Sequence, residues 1–261
     1  MKEKMIVIAG PCVVESKEML RQTVEHLLEI KNKLDFHFIF KSSYKKANRT
    51  SVDSFTGIGD NKALSYLNEI KKEYDVEVIT DVHTVEEAKK AAEFVDYLQI
   101  PAFLSRQTEL LTAAGETGKT INIKKAQFMA PEDMKKAAAK VESTGNKKIF
   151  LTERGSSFGY HDLVVDFRSL VMMQEYGYPV IYDATHSLQK PSIGAQSGGL
   201  PQFIPPLARA AVATGIDGVF FETHPSPEKA KSDAATQLKL EKSEDLLRSL
   251  TEVYDLVRKD K

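Results

Sequence analysis

Eight short apolar runs recur along the chain, each followed by a longer segment with helical spacing. The runs are Met5–Ala9, Phe36–Phe40, Val76–Thr80, Tyr97–Ile100, Thr120–Ile123, Ile149–Leu151, Val180–Tyr182 and Gly218–Phe221. Several are near-continuously apolar, as parallel strands covered on both faces require. The intervening segments are Lys17–Lys33, Asn61–Tyr74, Val85–Phe94, Thr108–Ala114, Pro131–Val141, Leu163–Glu175, Phe203–Ala213 and Glu244–Arg258. In the first, Leu20, Val24, Leu27 and Leu28 share one stripe and Ser16 suits an N-cap. Eight units in 261 residues average about 33 each, the size of a βα repeat. The expected architecture is therefore α/β, a single (β/α)8 TIM barrel over residues 1–261, a fold that takes about 250 residues. An open doubly wound sheet gives the same alternation, but no Gly-x-Gly-x-x-Gly turn follows the first run.

In a parallel barrel the C-terminal strand ends converge on one face, where active sites lie. Here those ends read Gly10-Pro11-Cys12, Lys41-Ser42-Ser43 with Lys46 to Arg49, Asp81-Val82-His83, and Gln99-Ile100-Pro101 with Arg106 beyond. The remaining four are Lys124-Lys125, Glu153-Arg154, Asp183-Ala184-Thr185-His186 and Glu222-Thr223-His224. Charged groups abutting buried strands are costly to desolvate unless partnered or functional. Lys41, Lys46, Arg49, Arg106, Lys124 and Arg154 form a basic set suited to a small polyanion, since Arg offers a planar fork and Lys a point charge. Lys45, Lys125, Lys71-Lys72 and Lys89-Lys90 read as solvated surface charges.

A second set is Cys12, His186, Glu222 and Asp233, the ligand types of a divalent transition metal. Taken alone, Cys12 reads as a small core residue and Asp233 as a helix cap. Cys12, His186 and Glu222 do fall on strands that become neighbours when a barrel closes. The net charge of -1 gives no broad basic field for nucleic acid or an anionic membrane. One cysteine allows no internal disulfide, and the short apolar start is too brief for a signal peptide, so a cytoplasmic location is expected.

The Gly10-Pro11-Cys12 start, Lys41-Ser42-Ser43 with Lys46-Ala47-Asn48-Arg49, and Gln99-Ile100-Pro101-Ala102-Phe103 closely resemble the 3-deoxy-D-manno-octulosonate 8-phosphate synthase family. So do Leu151-Thr152-Glu153-Arg154-Gly155, Asp183-Ala184-Thr185-His186-Ser187 and Phe221-Glu222-Thr223-His224-Pro225. The resemblance implies condensation of phosphoenolpyruvate with D-arabinose 5-phosphate and water, releasing phosphate, for the lipopolysaccharide inner core. It implies a homotetramer of barrels. It assigns phosphoenolpyruvate to Lys41, Ser43, Lys46, Gln99, Lys124 and Arg154, and the pentose aldehyde and hydroxyls to Lys46, Asn48 and Asp81. The pentose phosphate falls to Arg49 and Thr50, with Arg106 reaching in from a neighbouring subunit. Lys46, Asn48, Asp81 and His186 are the candidates for catalysis. Members with Cys at the first strand end are metal-dependent, which makes Cys12, His186, Glu222 and Asp233 the implied ligands of one divalent metal per subunit. Zn, Fe, Mn, Co and Cd are all compatible with that shell. Tyr44 and Lys45 stand where Phe and Asp are commoner.

The neighbouring 3-deoxy-D-arabino-heptulosonate 7-phosphate synthases, which take erythrose 4-phosphate, resemble Lys-Pro-Arg-Thr after the second strand and are the alternative. A Schiff-base aldolase using Lys124 or Lys41, and a non-catalytic sugar-phosphate-binding barrel, are two further readings. Ser187–Gly199 and the segment around Asp233 are candidates to close over the site.

Overall fold

A computed structural model of the chain describes residues 4–49, 51–191 and 198–258. Its main strands are β1 (Met5–Gly10), β2 (Phe36–Lys41), β3 (Glu77–Asp81), β4 (Tyr97–Ile100), β5 (Thr120–Lys124), β6 (Ile149–Glu153), β7 (Val180–Asp183) and β8 (Gly218–His224). All pair in parallel and in chain order. The register from Ile6↔Gly218 to Gly10↔Glu222 joins β1 to β8. That seam closes the sheet into a (β/α)8 barrel and rules out the open alternative. A Cβ at Gly218 would stand 2.4 Å from the Ile6 carbonyl oxygen and 2.7 Å from the Ile6 Cβ, so the seam needs glycine there.

The helices are α1 (Lys17–Lys33), α2 (Asp60–Tyr74), α3 (Val85–Ala91), α4 (Thr108–Glu116), α5 (Asp133–Glu142), α6 (Phe167–Gln174), α7 (Ile204–Ala213) and α8 (Ser243–Val257). Ser16 caps α1 as expected, its hydroxyl accepting the Met19 N–H at 3.1 Å. The expected helix from Leu163 to Glu175 is corrected. Leu163–Val164 pairs antiparallel with Ser156–Ser157, and the helix begins only after Asp166, whose carboxylate caps it by accepting the Arg168 N–H. A capping carboxylate at Asp166 leaves the preceding apolar pair free to extend as a ribbon.

Side chains alternate across each strand with period two. The outward set, with Val7, Phe38, Phe40, Val78, Leu98, Ile123, Leu151, Tyr182 and Phe221, merges with the helices into one core. The inward set packs as a second, smaller core of Ile8, Ile39, Ile79, Tyr97, Ile181 and Phe220, flanked by Ile6 and Phe150. Burying side chains of this size contributes roughly 1.5–3 kcal/mol each. Two residues beyond that inner layer, on the same faces, stand Lys41, Asp81, Gln99, Asp183 and Glu222. One alternation therefore builds an apolar plug and, at the C-terminal mouth, a buried polar ring.

Candidate active site at the barrel mouth

The ring is hydrogen-bonded around its circumference. Thr152 donates to Asn122 Oδ1 at 2.6 Å, Asn122 Nδ2 to Gln99 Oε1 at 3.1 Å, and Gln99 Nε2 to Asp81 Oδ1 at 2.7 Å. Ser43 Oγ donates to Asp81 Oδ2 at 2.7 Å and accepts from Lys41 Nζ at 3.0 Å. Lys41 Nζ also reaches Glu222 Oε1 at 2.9 Å. Across the mouth, Lys124 Nζ lies 2.5 Å from Asp183 Oδ2, which also meets His186 Nδ1 at 2.8 Å. Buried polar groups need such partners, and the shared bonds fix each rotamer.

Burial alone would raise these carboxyl pKa values, but neighbouring cations outweigh it. Lys41, His186 and Lys46 hold Glu222 at about 2. Lys41 and Lys46 hold Asp81, and His186 and Lys124 hold Asp183, well below the usual range. Lys124 moves the other way: burial, and then Lys41, lower its ammonium pKa against the pull of Asp183.

Gly10 sets the edge of the site, because a Cβ there would fall 2.0 Å from the Lys41 carbonyl oxygen. The close approach turns the chain so that Cys12 lies fully buried beside β8. Its thiol faces Asp233 Oδ2 at 3.1 Å and Ser232 Oγ at 3.2 Å. Asp233 has φ +47°, an uncommon left-handed backbone that Asp tolerates better than most residues. Cys12, Glu222 and Asp233 offer ligand atoms all within 4.8 Å of one another. His186 borders this group, with Nε2 3.6 Å from Glu222 Oε1. Its Nδ1 lies 2.8 Å from Asp183 Oδ2, which orients the ring with Nε2 toward the cluster.

This set fits a divalent cation. Glu222 Oε2 is buried without a hydrogen-bond partner among the described residues. Burial, and then Asp233 and Glu222, push the Cys12 thiol well above its ordinary pKa, a burden that a bound cation would reverse. Sulfur, nitrogen and carboxylate donors together suit a borderline-soft metal.

A cavity of about 190 Å³ opens beside this cluster, lined by Lys41, Lys46, Asn48, Arg49, Asp81, Gln99, Lys124, Arg154, His186 and Asp233, among others. Cys12, Ser43 and Glu222 stand buried behind the lining. Arg106 is exposed and is not among the lining residues. Thr50 and residues 192–197 lie outside the described residues. Among the described residues, Arg154 Nη1 and Arg49 Nε are buried donors without a hydrogen-bond partner.

Expectations of solvated charge are corrected at Lys125, Lys45 and Lys71, the last part-buried against Asp96 at 2.5 Å. Lys125 is 1% exposed, bonded to Ser156 Oγ at 3.0 Å and standing 3.4 Å from the equally buried Glu153. Lys45 is part-buried against Glu87 at 2.9 Å. Gln127 and Gln189 also line the cavity and were not singled out from sequence. Gln189 accepts from Arg154 at 2.9 Å and donates to Asp233 at 3.3 Å, linking the guanidinium to the carboxylate cluster. Its place three residues after His186, at the end of the seventh strand, was the available signal.

A model of the DAHP synthetase I family matches residues 1–259. The chain is 51% identical over 247 residues to a 2-dehydro-3-deoxyphosphooctonate aldolase of Desulfatibacillum aliphaticivorans, covering 94% of this chain and 90% of that protein. It is 49% identical over 255 residues to a protein of that name from Geotalea uraniireducens, covering 97% and 94%. A third, from Fusobacterium nucleatum, is 47% identical over 258 residues, covering 98% and 93%. No helix among the described residues is long and apolar enough to cross a membrane. With the barrel, its polar mouth and matches of this extent in hand, the chain belongs to the DAHP synthetase I family.

Proposed function

We propose that this chain is a 3-deoxy-D-manno-octulosonate 8-phosphate synthase, condensing phosphoenolpyruvate with D-arabinose 5-phosphate and water and releasing inorganic phosphate. The observation that carries the reading is the pair of orphaned guanidinium donors, Arg154 Nη1 and Arg49 Nε, in a cavity that also holds Lys46 and Lys124. A buried donor without a partner costs about 1–3 kcal/mol. Two phosphates and a carboxylate from the substrates would satisfy these groups.

In this reading Lys41, Ser43, Lys46, Gln99, Lys124 and Arg154 hold phosphoenolpyruvate. Asn48, Asp81 and Lys46 orient the pentose aldehyde and hydroxyls, while Arg49 and Thr50 take its phosphate. C3 of phosphoenolpyruvate attacks the aldehyde carbon, water adds at C2, and phosphate leaves with cleavage of the C–O bond. Lys46 and Arg154 stabilise charge as it moves among carboxylate, phosphate and new alkoxide. Lys124 Nζ, whose ammonium pKa burial lowers, would serve as a proton donor in this reading. Asp183 and Asp81 anchor Lys124 and Gln99 and so orient the cationic groups. Cys12, Glu222 and Asp233, with His186 beside them, would hold one divalent metal, which when bound supplies Lewis-acid polarisation of an oxygen ligand. Exposed Arg106 fits a role in a neighbouring subunit's site within a homotetramer. A cytoplasmic enzyme of lipopolysaccharide precursor synthesis completes the reading.

The test is phosphate release from phosphoenolpyruvate with arabinose 5-phosphate, with erythrose 4-phosphate as control. Turnover should need the pentose and fall when metal is chelated. Preference for erythrose 4-phosphate would move the chain to the neighbouring activity. Borohydride inactivation in the presence of substrate would favour a Schiff-base aldolase instead.

A further inference from the structure

We infer that Glu87, on the first turn of α3, is a positioning residue that clamps the root of the loop presenting Lys46, Asn48 and Arg49. The inference rests on the sugar-phosphate reading of that loop. Thr84 is the helix N-cap, with its hydroxyl accepting the Glu87 N–H at 3.2 Å. In a capping box the third-position glutamate turns back to the cap residue's own N–H. Glu87 instead accepts the His83 N–H at 2.9 Å and meets His83 Nδ1 at 2.8 Å, both through Oε2. Its Oε1 takes Lys45 Nζ at 2.9 Å. The Tyr44 hydroxyl is a further hydrogen-bond partner.

Tyr44 and Lys45 stand between Ser43 and Lys46 and have no role in the reaction chemistry. Tyr44 is 2% exposed, and a buried tyrosine hydroxyl needs a partner. The same carboxylate serves both side chains. Backbone bonds complete the grip, with Tyr44 N–H donating to Thr80 Oγ1 at 3.0 Å and Lys46 N–H to the Thr56 carbonyl at 2.8 Å. Lys46 follows Lys45 directly, so slack at Glu87 passes straight to a lining side chain. Glu87 is not among the cavity-lining residues, so its effect runs through the loop.

The test compares wild type, Glu87→Ala, Lys45→Asp and the Lys45→Asp/Glu87→Gln double variant. Readouts are KM for each substrate and amide exchange of Tyr44 and Lys46. A small misplacement of substrate-positioning groups is costly to catalysis. Glu87→Ala should raise KM for arabinose 5-phosphate, which Lys46, Asn48 and Arg49 of this loop all hold, about tenfold, raise that for phosphoenolpyruvate, which shares Lys46, by a clearly smaller factor, and speed exchange of both amides about tenfold. Exchange at Ala92 and Val95, beyond α3, should stay as in wild type. Lys45→Asp sets two carboxylates together and should raise the pentose KM similarly, and Glu87→Gln should restore most of that loss. Unchanged exchange in Glu87→Ala, both KM values rising by the same factor, or no rescue in the double variant would each overturn the clamp. A wild-type chain that fails to turn over arabinose 5-phosphate would overturn the proposed function, while the exchange measurements would still decide the clamp.

Discussion

Replacing Lys125 with methionine tests whether the charge hidden behind the barrel wall supports the mouth. Lys124 and Lys125 are consecutive, so alternation sends the first into the cavity and the second to the outer side. There its ammonium meets Ser156 Oγ at 3.0 Å, the Met129 carbonyl at 3.2 Å, the Ala126 carbonyl at 3.4 Å and Glu153 Oε1 at 3.4 Å. Glu153 and Lys125 are each 1% exposed. Methionine fills most of the lysine stem, so little cavity arises. The loss is electrostatic: breaking a buried pair from one side costs about 3–5 kcal/mol. Glu153 would keep the Gly155 N–H at 2.7 Å and the Ser169 hydroxyl at 2.6 Å, which points to the lower end, about 3 kcal/mol. For a chain of this length that is a fall in Tm of about 6–12 °C. Calorimetry of wild type and variant at matched concentration reads it. A Lys125→Met/Glu153→Gln double variant removes the orphaned charge and should recover about half the loss. A loss below about 1 kcal/mol, or a double variant no better than the sum of the singles, would refute the assignment of this pair as a structural brace.

Gly218→Ala should destabilise the seam by about 1–3 kcal/mol, read by denaturant unfolding, because its Cβ meets Ile6 backbone and side chain rather than a movable chain end. Asp81 carries a depressed pKa in the folded chain, so its stabilisation is complete above the ordinary carboxylate range near pH 4 and is lost as pH falls further. Unfolding free energy of wild type should therefore drop by up to about 1.4 kcal/mol more per pH unit below pH 4 than that of Asp81→Asn. Equal slopes in the two proteins would contradict an ionised Asp81. Cys12→Asn should lose tightly held metal, measured by elemental analysis after gel filtration, while keeping part of the phosphate-release activity. Retention of one metal per chain with full chelator sensitivity would remove Cys12 from the ligand set.

The strand positions were legible because a parallel strand leaves a near-continuous apolar trace, and the mouth because charged or metal-capable residues fall at most of the strand ends. Barrel closure was less so: the missing Gly-x-Gly-x-x-Gly turn is a weak local sign against an open sheet, and the pairing of β1 with β8 decides it. The inward set at Lys41, Asp81, Lys124, Asp183 and Glu222 could be read from order alone, since each follows an apolar run. Lys125 and Lys45 could not. A lysine's burial is set by where its counter-charge falls, and Glu153 and Glu87 lie 28 and 42 residues away along the chain, in neighbouring βα units. Desolvation is tolerable only with such a partner in place. Glu87 shows the same limit from the other side. Its spacing from Thr84 matches a capping box, a local motif with a complete local explanation, yet its carboxylate is engaged by His83, Tyr44 and Lys45. Local patterns thus located the elements and the reacting groups. The residues that hold those groups still became visible only once distant segments were placed side by side.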